Sequence, residues 1–419
     1  MLKTLALSLA ACALGSAALA QTLPRFNADP NAVTVSGISS GGAMAIQAHV
    51  AYSGTFKHVA VFAGAAYYCA QGNVALAIGR CQEALTAAEI PVAELVATTN
   101  SWAASGFIDS TANLASSKVY LFSGTLDQTV RQPGMDAARD YYLNFVPAAN
   151  IVYDNATPAG HGWISPLGQV LCAAQQSPYV NNCFIDPQQV FLTMFYGPLA
   201  PRQVGALSGT FGTADQGEFV AGGNTAQQSV DAKARLYVPA DCQRGELCRL
   251  HVAFHGCSQS FERVGEAFIR QANLNEWADT NRIIVLYPQT IATPPNNGLG
   301  CWDWWGYGSA DYAKKSGPQL AMVKGMVDRI TAGYAPVAAP GNLLAVRVSP
   351  TSVKLSWTGV SGASGYRLYR DGSELQALQG TEFTDKSVAR DSSYTYSVRA
   401  VAGNGNVGPA SSAVTVTTR

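Results

Sequence analysis

Two patterns of apolar and polar positions follow one another along the chain. Up to residue 333, short β-branched runs alternate with longer segments of small and apolar residues, which is typical of strands that alternate with helices. The predicted strands are 32–36, 118–123, 235–239, 250–254 and 283–287, and the predicted helices are 41–51 and 319–331. This alternation favours an α/β fold, in which helices cover a sheet.

After residue 333 the pattern changes to strands alone. The stretch 334–341 is rich in Pro, Ala and Gly and is predicted to be a linker. Beyond it, 353–357, 365–369 and 394–401 alternate as strands do, and Asp371-Gly372 is typical of a hairpin turn. The sequence therefore predicts a first domain at 21–333 and an all-β domain at 342–419.

The first twenty residues predict a secretory signal peptide, 1–20. Lys3 provides a positive start, residues 5–14 are apolar, and Ala18-Leu19-Ala20 is a small-residue cleavage site. The alternative is a lipoprotein signal that ends at Cys12. No other segment has about 18 uninterrupted apolar residues, so we expect no transmembrane segment and a secreted chain, extracellular or periplasmic.

Charge argues against a nucleic-acid partner. Only 13% of the residues are charged, and 27 Lys and Arg balance 27 Asp and Glu. Because phosphate binding needs clustered basic side chains, and no long basic run occurs, we expect no nucleic-acid binding. We also expect a monomer.

Cysteine usage agrees with export. Without Cys12, eight cysteines remain, and an even number in an oxidising compartment predicts four disulfides. Pairing between neighbours is the simplest arrangement, although spacing leaves the connectivity open. No Cys-x-x-Cys pair with histidine partners occurs, so we predict no metal and no cofactor. The cysteines are Cys69, Cys81, Cys172, Cys183, Cys242, Cys248, Cys257 and Cys301.

A nucleophile motif lies between the first predicted strand and helix. Residues 37–41 read Gly-Ile-Ser-Ser-Gly and match G-x-S-x-G. In this motif the serine occupies a strained strand-to-helix turn, which small neighbours make sterically possible. The start of the helix also favours a developing negative charge. We therefore predict Ser39 as a catalytic nucleophile, the alternative being an ordinary Gly/Ser turn.

A serine nucleophile needs a base and an acid that orients the base. Among five histidines, His161 lies in a loop rich in Gly and Pro, 157–163, of the kind that can reach over a serine. Asp127 follows the predicted strand 118–123, between serine and histidine in chain order. We predict His161 as the base and Asp127 as its partner. The alternative acids are Asp109, Asp136, Asp140 and Asp154.

The candidate oxyanion loop comes unusually late in the chain. A His-Gly pair after an early strand normally precedes the nucleophile, but here His255-Gly256-Cys257 follows the predicted triad. The simplest explanation is a circularly permuted α/β-hydrolase, in which helix 319–331 would otherwise lead into the nucleophile strand. The N–H groups of Ser40 and Cys257 would then bind the oxyanion. A Cys257–Cys301 disulfide would brace this loop, and His255 is expected to be structural.

The segment 301–307 concentrates aromatic side chains in a loop. It predicts an aromatic wall for an apolar chain, the alternative being packing at the rim of the domain. The residues of the predicted wall are Trp302, Trp304, Trp305 and Tyr307.

Three separated motifs resemble the polyhydroxybutyrate depolymerases. They are the sequences at 37–45, 253–257 and 301–306, and the resemblance extends over residues 25–335, with the lipase box near the mature N-terminus as in the permuted branch. It implies hydrolysis of poly(3-hydroxybutyrate) or its oligomers through an acyl-enzyme on Ser39. It also implies the same acid, base and oxyanion donors, with the tryptophan loop in the substrate crevice.

The C-terminal domain resembles fibronectin type III over residues 341–419. Trp357 matches that family's core tryptophan, and Tyr394 matches its tyrosine corner, whose hydroxyl returns to the backbone. Bacterial depolymerases of this family commonly carry a further substrate-binding domain. Because this chain ends after the fibronectin-like module, we expect it to act on amorphous polymer or oligomers, with the module as a spacer.

Two other functions remain open at this point. A carboxylesterase of the same fold, acting on feruloyl, acetyl or other small esters, would use the same triad. A non-catalytic adhesion protein is suggested only by the fibronectin-like module, and the complete set of catalytic residues argues against it.

Overall fold

A computed structural model describes residues 22–334 and 337–419. The predicted signal peptide, 1–20, lies outside the described residues, as do residues 335–336 of the predicted linker. Within the described ranges, no helix has the length and apolar character needed to span a membrane.

Most of the first domain is one large sheet. It contains eight strands in the order β4-β3-β2-β1-β10-β11-β9-β8, and those from β4 to β11 are parallel. Strands β5 to β7 form a separate small sheet. The strands are β1 (Ala28–Ile38), β2 (Phe56–Phe62), β3 (Val119–Phe122), β4 (Ile151–Asp154), β5 (Trp163–Ile164), β6 (Val170–Leu171), β7 (Val180–Asn182), β8 (Thr210–Asp215), β9 (Lys233–Val238), β10 (Cys248–Phe254) and β11 (Ile283–Tyr287).

Helices and two apolar layers cover both faces of this sheet. Val33 and Val35 of β1 belong to one buried cluster, whereas Ile38 belongs to the other, as alternation along a central strand requires. The helices are α1 (Ser40–Ala51), α2 (Val74–Leu76), α3 (Val92–Ala104), α4 (Gln132–Tyr142), α5 (Pro187–Tyr196), α6 (Ala240–Gln243), α7 (Phe261–Val264), α8 (Ala267–Gln271), α9 (Leu274–Asn281) and α10 (Pro318–Thr331). The predicted α/β class is confirmed.

The end of α10 lies beside the segment that enters β1. The N–H of Phe26 donates to the carbonyl of Ile330 at 2.8 Å, and a Cβ on Gly333 would lie 2.5 Å from the Phe26 carbonyl oxygen. Helix α10 therefore ends where the nucleophile strand begins, which is the arrangement that a circular permutation requires.

The second domain is a β-sandwich. Trp357 is buried in its core, and the Tyr394 hydroxyl accepts a hydrogen bond from the Ala389 N–H at 2.9 Å, so the tyrosine corner forms. Asp371 and Gly372 both have positive φ, as a type I′ hairpin turn requires. The strands are β12 (Gly341–Ser349), β13 (Ser352–Thr358), β14 (Ala363–Arg370), β15 (Ser373–Leu378), β16 (Glu382–Asp385), β17 (Ser392–Ala402), β18 (Val407–Ala410) and β19 (Val414–Thr418).

The sandwich packs directly against the first domain. The Val407 N–H donates to the Gly245 carbonyl at 2.8 Å. The buried Glu246 carboxylate accepts hydrogen bonds from Arg399 at 2.9 Å, from Arg367 at 3.3 Å and from the Tyr369 hydroxyl. These side chains bridge the two domains, so the module is held in a defined orientation rather than separated from the first domain by a free linker.

Disulfides join the cysteines as neighbours in the sequence. Three of them close loops of 6 to 12 residues, and the fourth spans 44 residues. The pairs are Cys69–Cys81, Cys172–Cys183, Cys242–Cys248 and Cys257–Cys301.

Candidate active site

Ser39 occupies a sharp turn between β1 and α1. Its backbone has φ 58° and ψ −125°, a conformation that is strained for a residue with a Cβ. The neighbouring glycines make the turn sterically possible. A Cβ on Gly37 would lie 2.0 Å from the Gly41 carbonyl oxygen, and one on Gly41 would lie 2.2 Å from that of His255. The G-x-S-x-G spacing thus follows from close backbone packing, and it places the Ser39 side chain at the start of a helix.

An acid and a base meet at the same edge of the sheet. The His161 Nδ1–H donates to Asp127 Oδ2 at 2.8 Å, and both side chains are largely buried. Asp127 follows β3 and His161 follows β4, so both come from the carboxyl ends of strands close to β1. Val130, three residues after Asp127, lines a small cavity together with Ser39 and Trp304.

The backbone holds Asp127 in a single orientation. Its Oδ1 accepts hydrogen bonds from the N–H groups of Thr129 at 2.8 Å and Val130 at 2.9 Å. Oδ2 is therefore the oxygen left for His161. The Leu126 N–H also donates to the Ala159 carbonyl at 3.1 Å, which joins the loop of the acid to the loop of the base.

The loop after β10 lies against the serine. A Cβ on Gly256 would lie 3.2 Å from the Ser39 Cβ, which is closer than most such contacts, so a side chain here would push the loop away from the serine. Burial lowers the pKa of His255 to about 4, which keeps its ring neutral. The ring accepts a hydrogen bond from the Thr290 N–H at Nε2 and donates from Nδ1 to the Gly256 carbonyl at 2.8 Å.

His255 thereby controls the direction of the Cys257 N–H. The Gly256 carbonyl and the Cys257 N–H belong to one planar trans peptide and point in opposite directions. In the part of the chain that the structure describes, no acceptor is bonded to the N–H of Cys257 or of Ser40. Two free donors, one at the start of α1 and one in the loop beside Ser39, are what an oxyanion hole needs.

Gln259 is a buried side chain that the sequence did not single out. Its Oε1 accepts the Gly256 N–H at 2.8 Å, and its Nε2 donates to the carbonyls of Pro178 at 2.9 Å and Tyr179 at 3.0 Å. The Tyr179 carbonyl also accepts the Trp163 N–H, two residues after His161. Gln259 thus connects the oxyanion loop to the segment that carries the base.

The remaining histidines have structural partners. His49 is buried between Tyr142 and Ser117, and His251 is buried between two hydroxyl groups of β1. Burial lowers the pKa of each ring to about 3. His58 accepts the Lys118 N–H at 3.0 Å.

The aromatic side chains of the tryptophan loop differ in their surroundings. Trp302 is fully buried and packs on Phe254 and His255. Trp304 lines the cavity beside Ser39. Trp305 is half-buried and packs against Trp304 and Tyr307.

Two further contacts order this loop. The Asp303 carboxylate accepts hydrogen bonds from four successive backbone N–H groups, those of residues 306–309. Burial raises the pKa of this carboxyl, while the same N–H groups lower it. The Tyr307 hydroxyl donates to the Cys301 carbonyl at 2.8 Å.

Within the described ranges, no group of three His, Cys, Asp or Glu side chains is arranged to hold a metal ion.

Comparison with known proteins covers both domains. The family model "Fibronectin type III domain" matches residues 338–417. A poly(3-hydroxybutyrate) depolymerase from Delftia acidovorans is 42% identical over 97% of this chain and 83% of its own length. A polyhydroxybutyrate depolymerase from Talaromyces funiculosus is 38% identical over 77% of this chain and 96% of its own.

Solved structures agree with these sequence matches. A PHB depolymerase (S39A) complexed with R3HB trimer is 35% identical, with a TM-score of 0.69, and the match covers 75% of this chain and all of that one. The crystal structure of PHB depolymerase from Penicillium funiculosum matches with the same values. The chain belongs to the polyhydroxybutyrate depolymerase family.

Proposed function

We propose that this protein hydrolyses the ester bonds of poly(3-hydroxybutyrate) and its oligomers through an acyl-enzyme on Ser39. The observation that carries the proposal is the His161–Asp127 hydrogen bond at the same sheet edge as the strained turn at Ser39. Family membership supports the substrate, since the relatives are described as depolymerases of this polymer.

Acylation begins with transfer of the Ser39 proton to His161 Nε2 as Oγ attacks the ester carbonyl carbon. Asp127 holds Nδ1 protonated, so that Nε2 is free to act as the base, and it stabilises the imidazolium that forms. The carbonyl oxygen becomes an oxyanion, which accepts hydrogen bonds from the N–H groups of Ser40 and Cys257. Each such donor contributes roughly 3 to 4 kcal/mol to catalysis.

Collapse of the tetrahedral intermediate breaks the ester bond. His161 donates its proton to the leaving alkoxide oxygen, which departs as a hydroxyl end of the polymer, and the acyl group remains on Ser39. In the second half, His161 deprotonates a water molecule that attacks the acyl carbon, and Ser39 is released with its proton restored. The products are a hydroxyl end and a carboxylate end.

The surroundings of the serine suit an uncharged, aliphatic substrate. The cavity beside Ser39 is lined by Ala43, Ala63, Ala65 and Trp304, with Gln82 as one of its few polar groups. A chain of methyl-bearing ester units has no charge that needs a partner there. We assign Trp304, with Trp305 and Tyr307 behind it, to the wall of the substrate crevice.

We also propose that the protein acts outside the cytoplasm. Two features support this proposal. Four disulfides persist only in an oxidising compartment, and the proposed substrate is a polymer, which an exported enzyme can reach outside the cell. Cleavage of a signal peptide before Gln21 would be visible as the N-terminal sequence of the protein recovered from culture medium or periplasm.

The test is acid release by wild-type protein and its Ser39→Ala variant. Substrates are amorphous poly(3-hydroxybutyrate) granules, soluble hydroxybutyrate oligomers and a short p-nitrophenyl ester. We expect wild type to release acid from granules or oligomers and the variant to be inactive. Cleavage of the p-nitrophenyl ester alone would contradict the polymer substrate and favour a small-ester carboxylesterase. Activity of the Ser39→Ala variant would contradict the assignment of Ser39 as the nucleophile.

A further inference from the structure

A cleft of about 510 Å³ lies where the two domains meet. One wall contains the starts of β1 and β10, and the other contains residues of β17 and β18. Ser39 follows the opposite end of β1. Asp29 of the cleft and Ser39 are ten residues apart along this extended strand, which is roughly 30 Å. The cleft is therefore distinct from the catalytic site.

Three arginines line this cleft, together with a single acidic side chain, Asp29. Arg282 Nε pairs with Asp241 at 2.8 Å, and Arg399 pairs with Glu246 at 2.9 Å. Burial and the neighbouring Arg282 lower the pKa of Arg399, as expected where cationic groups are close together. An anion between these side chains would reduce that repulsion.

Arg249 provides unused hydrogen-bond donors. Its guanidinium packs over the Tyr196 ring at 4.8 Å, and within the described residues it has neither an ion pair nor a side-chain hydrogen bond. A planar guanidinium held by an aromatic ring presents two parallel N–H groups, which match the two oxygens of a carboxylate.

Apolar residues lie between the charged groups of this lining. Ala32, Pro198, Leu247 and Pro409 contribute to it, with Thr280 and Asn281 as polar neighbours. A suitable ligand therefore combines one carboxylate with a short aliphatic body that carries ester or hydroxyl oxygens.

We propose that the interdomain cleft binds the carboxylate end of a short 3-hydroxyalkanoate oligomer. This ligand class rests on the proposed function, because each cleavage releases a chain with a free carboxylate. Arg249 holds the carboxylate, Arg399 from the second domain adds a second cation, and the apolar residues contact the aliphatic units. A bound oligomer contacts both domains, so it also stabilises the way they pack.

Calorimetry on full-length Ser39→Ala protein tests the proposal, because this variant does not consume the probe. The probes are the 3-hydroxybutyrate trimer as free acid, its methyl ester, and sodium sulfate. We expect the acid to occupy one site more than the methyl ester does. Adding Arg249→Gln should weaken that extra site about tenfold or more, and Arg249→Lys should weaken it less.

Arg390→Gln is the matched control, since it removes the same charge from an exposed position of the second domain. It should leave binding unchanged. Equal binding of the acid and its methyl ester, or acid binding that Arg249→Gln does not alter, would overturn the proposal. Displacement of the acid by sulfate at equal concentration would show a general anion site and would overturn the assignment of a 3-hydroxyalkanoate oligomer as the ligand.

The outcome is separable from the proposed function. Arg249→Gln on an otherwise wild-type chain should hydrolyse oligomers at the wild-type rate, because Arg249 lies far from Ser39. If wild type hydrolysed no oligomer, the proposed function would fail whatever the calorimetry showed.

Discussion

Replacing Asp127 by asparagine tests the catalytic geometry with a change of one atom. The N–H groups of Thr129 and Val130 both donate to Oδ1. In the variant, this position must remain an oxygen, because an amide nitrogen cannot accept either hydrogen bond. The amide nitrogen of the introduced asparagine would then face His161 Nδ1, as a donor.

A donor facing Nδ1 forces the imidazole into the wrong tautomer. Nδ1 becomes the acceptor, the proton moves to Nε2, and Nε2 can no longer take the proton of Ser39. A change of this kind lowers kcat about 10⁴-fold in serine hydrolases that use the same triad, which is roughly 5 kcal/mol of transition-state stabilisation. The fold should persist, because all hydrogen bonds except that from His161 are kept.

The assay is kcat on a soluble hydroxybutyrate oligomer, with thermal unfolding as a check on folding. Asp154→Asn is the matched control. Asp154 is the last residue of β4 and also accepts backbone hydrogen bonds, from Ala156 and Thr157, but it does not contact His161. We expect the control to keep most of its activity. An Asp127→Asn variant that retained a tenth of wild-type activity would refute the tautomer argument.

Three further predictions concern stability and the oxyanion loop. Glu246→Gln removes the buried charge between two arginines of the second domain and should lower the free energy of unfolding by about 3 kcal/mol. The exposed Glu382→Gln should change it by less than about 1 kcal/mol, and equal effects of the two variants in chemical denaturation would contradict the stabilising role of Glu246 between the domains. Gln259→Leu leaves the Gly256 N–H without its acceptor, so in oligomer kinetics it should lower kcat more than it changes KM. A change in KM alone would argue against a role of Gln259 in ordering the oxyanion loop. Burial lowers the pKa of His49 to about 3, against about 6.5 in the unfolded chain, so the unfolded state binds more protons between these pH values and the free energy of unfolding must fall as pH drops below about 6.5. His49→Gln should reduce the loss of stability between pH 7 and pH 5, and an unchanged loss would contradict this assignment.

Elements with a strong local pattern could be predicted from sequence. Strand β11 has the predicted bounds because five apolar residues lie between the charged Arg282 and Pro288, a residue that commonly ends a strand. Strand β1 was predicted to begin at residue 32 because Asp29, Pro30 and Asn31 are typical of a turn. It begins four residues earlier, at Ala28. Ala28 is held in the sheet by pairing with Cys248, which is 220 residues away, and no local pattern reports such a contact.

The same limit applies to the candidate site. Ser39 could be predicted because the strand, the turn and the helix are contiguous. Gln259 could not, because its partners Gly256 and Pro178 come from two loops about 80 residues apart. The tryptophans of the 301–307 loop look alike in sequence. Trp302 packs on Phe254 whereas Trp304 lines the cavity beside Ser39, and these partners come from other elements of the chain.

Covalent trapping of the nucleophile tests the central claim most directly. The wild-type protein would be treated with an alkyl fluorophosphonate, with and without excess hydroxybutyrate oligomer, and then digested and mapped by mass spectrometry. We predict one adduct, on Ser39, that forms in step with loss of polymer hydrolysis and is slowed by the oligomer. Complete loss of hydrolysis with Ser39 unmodified, or with the adduct on another serine such as Ser40, would contradict it.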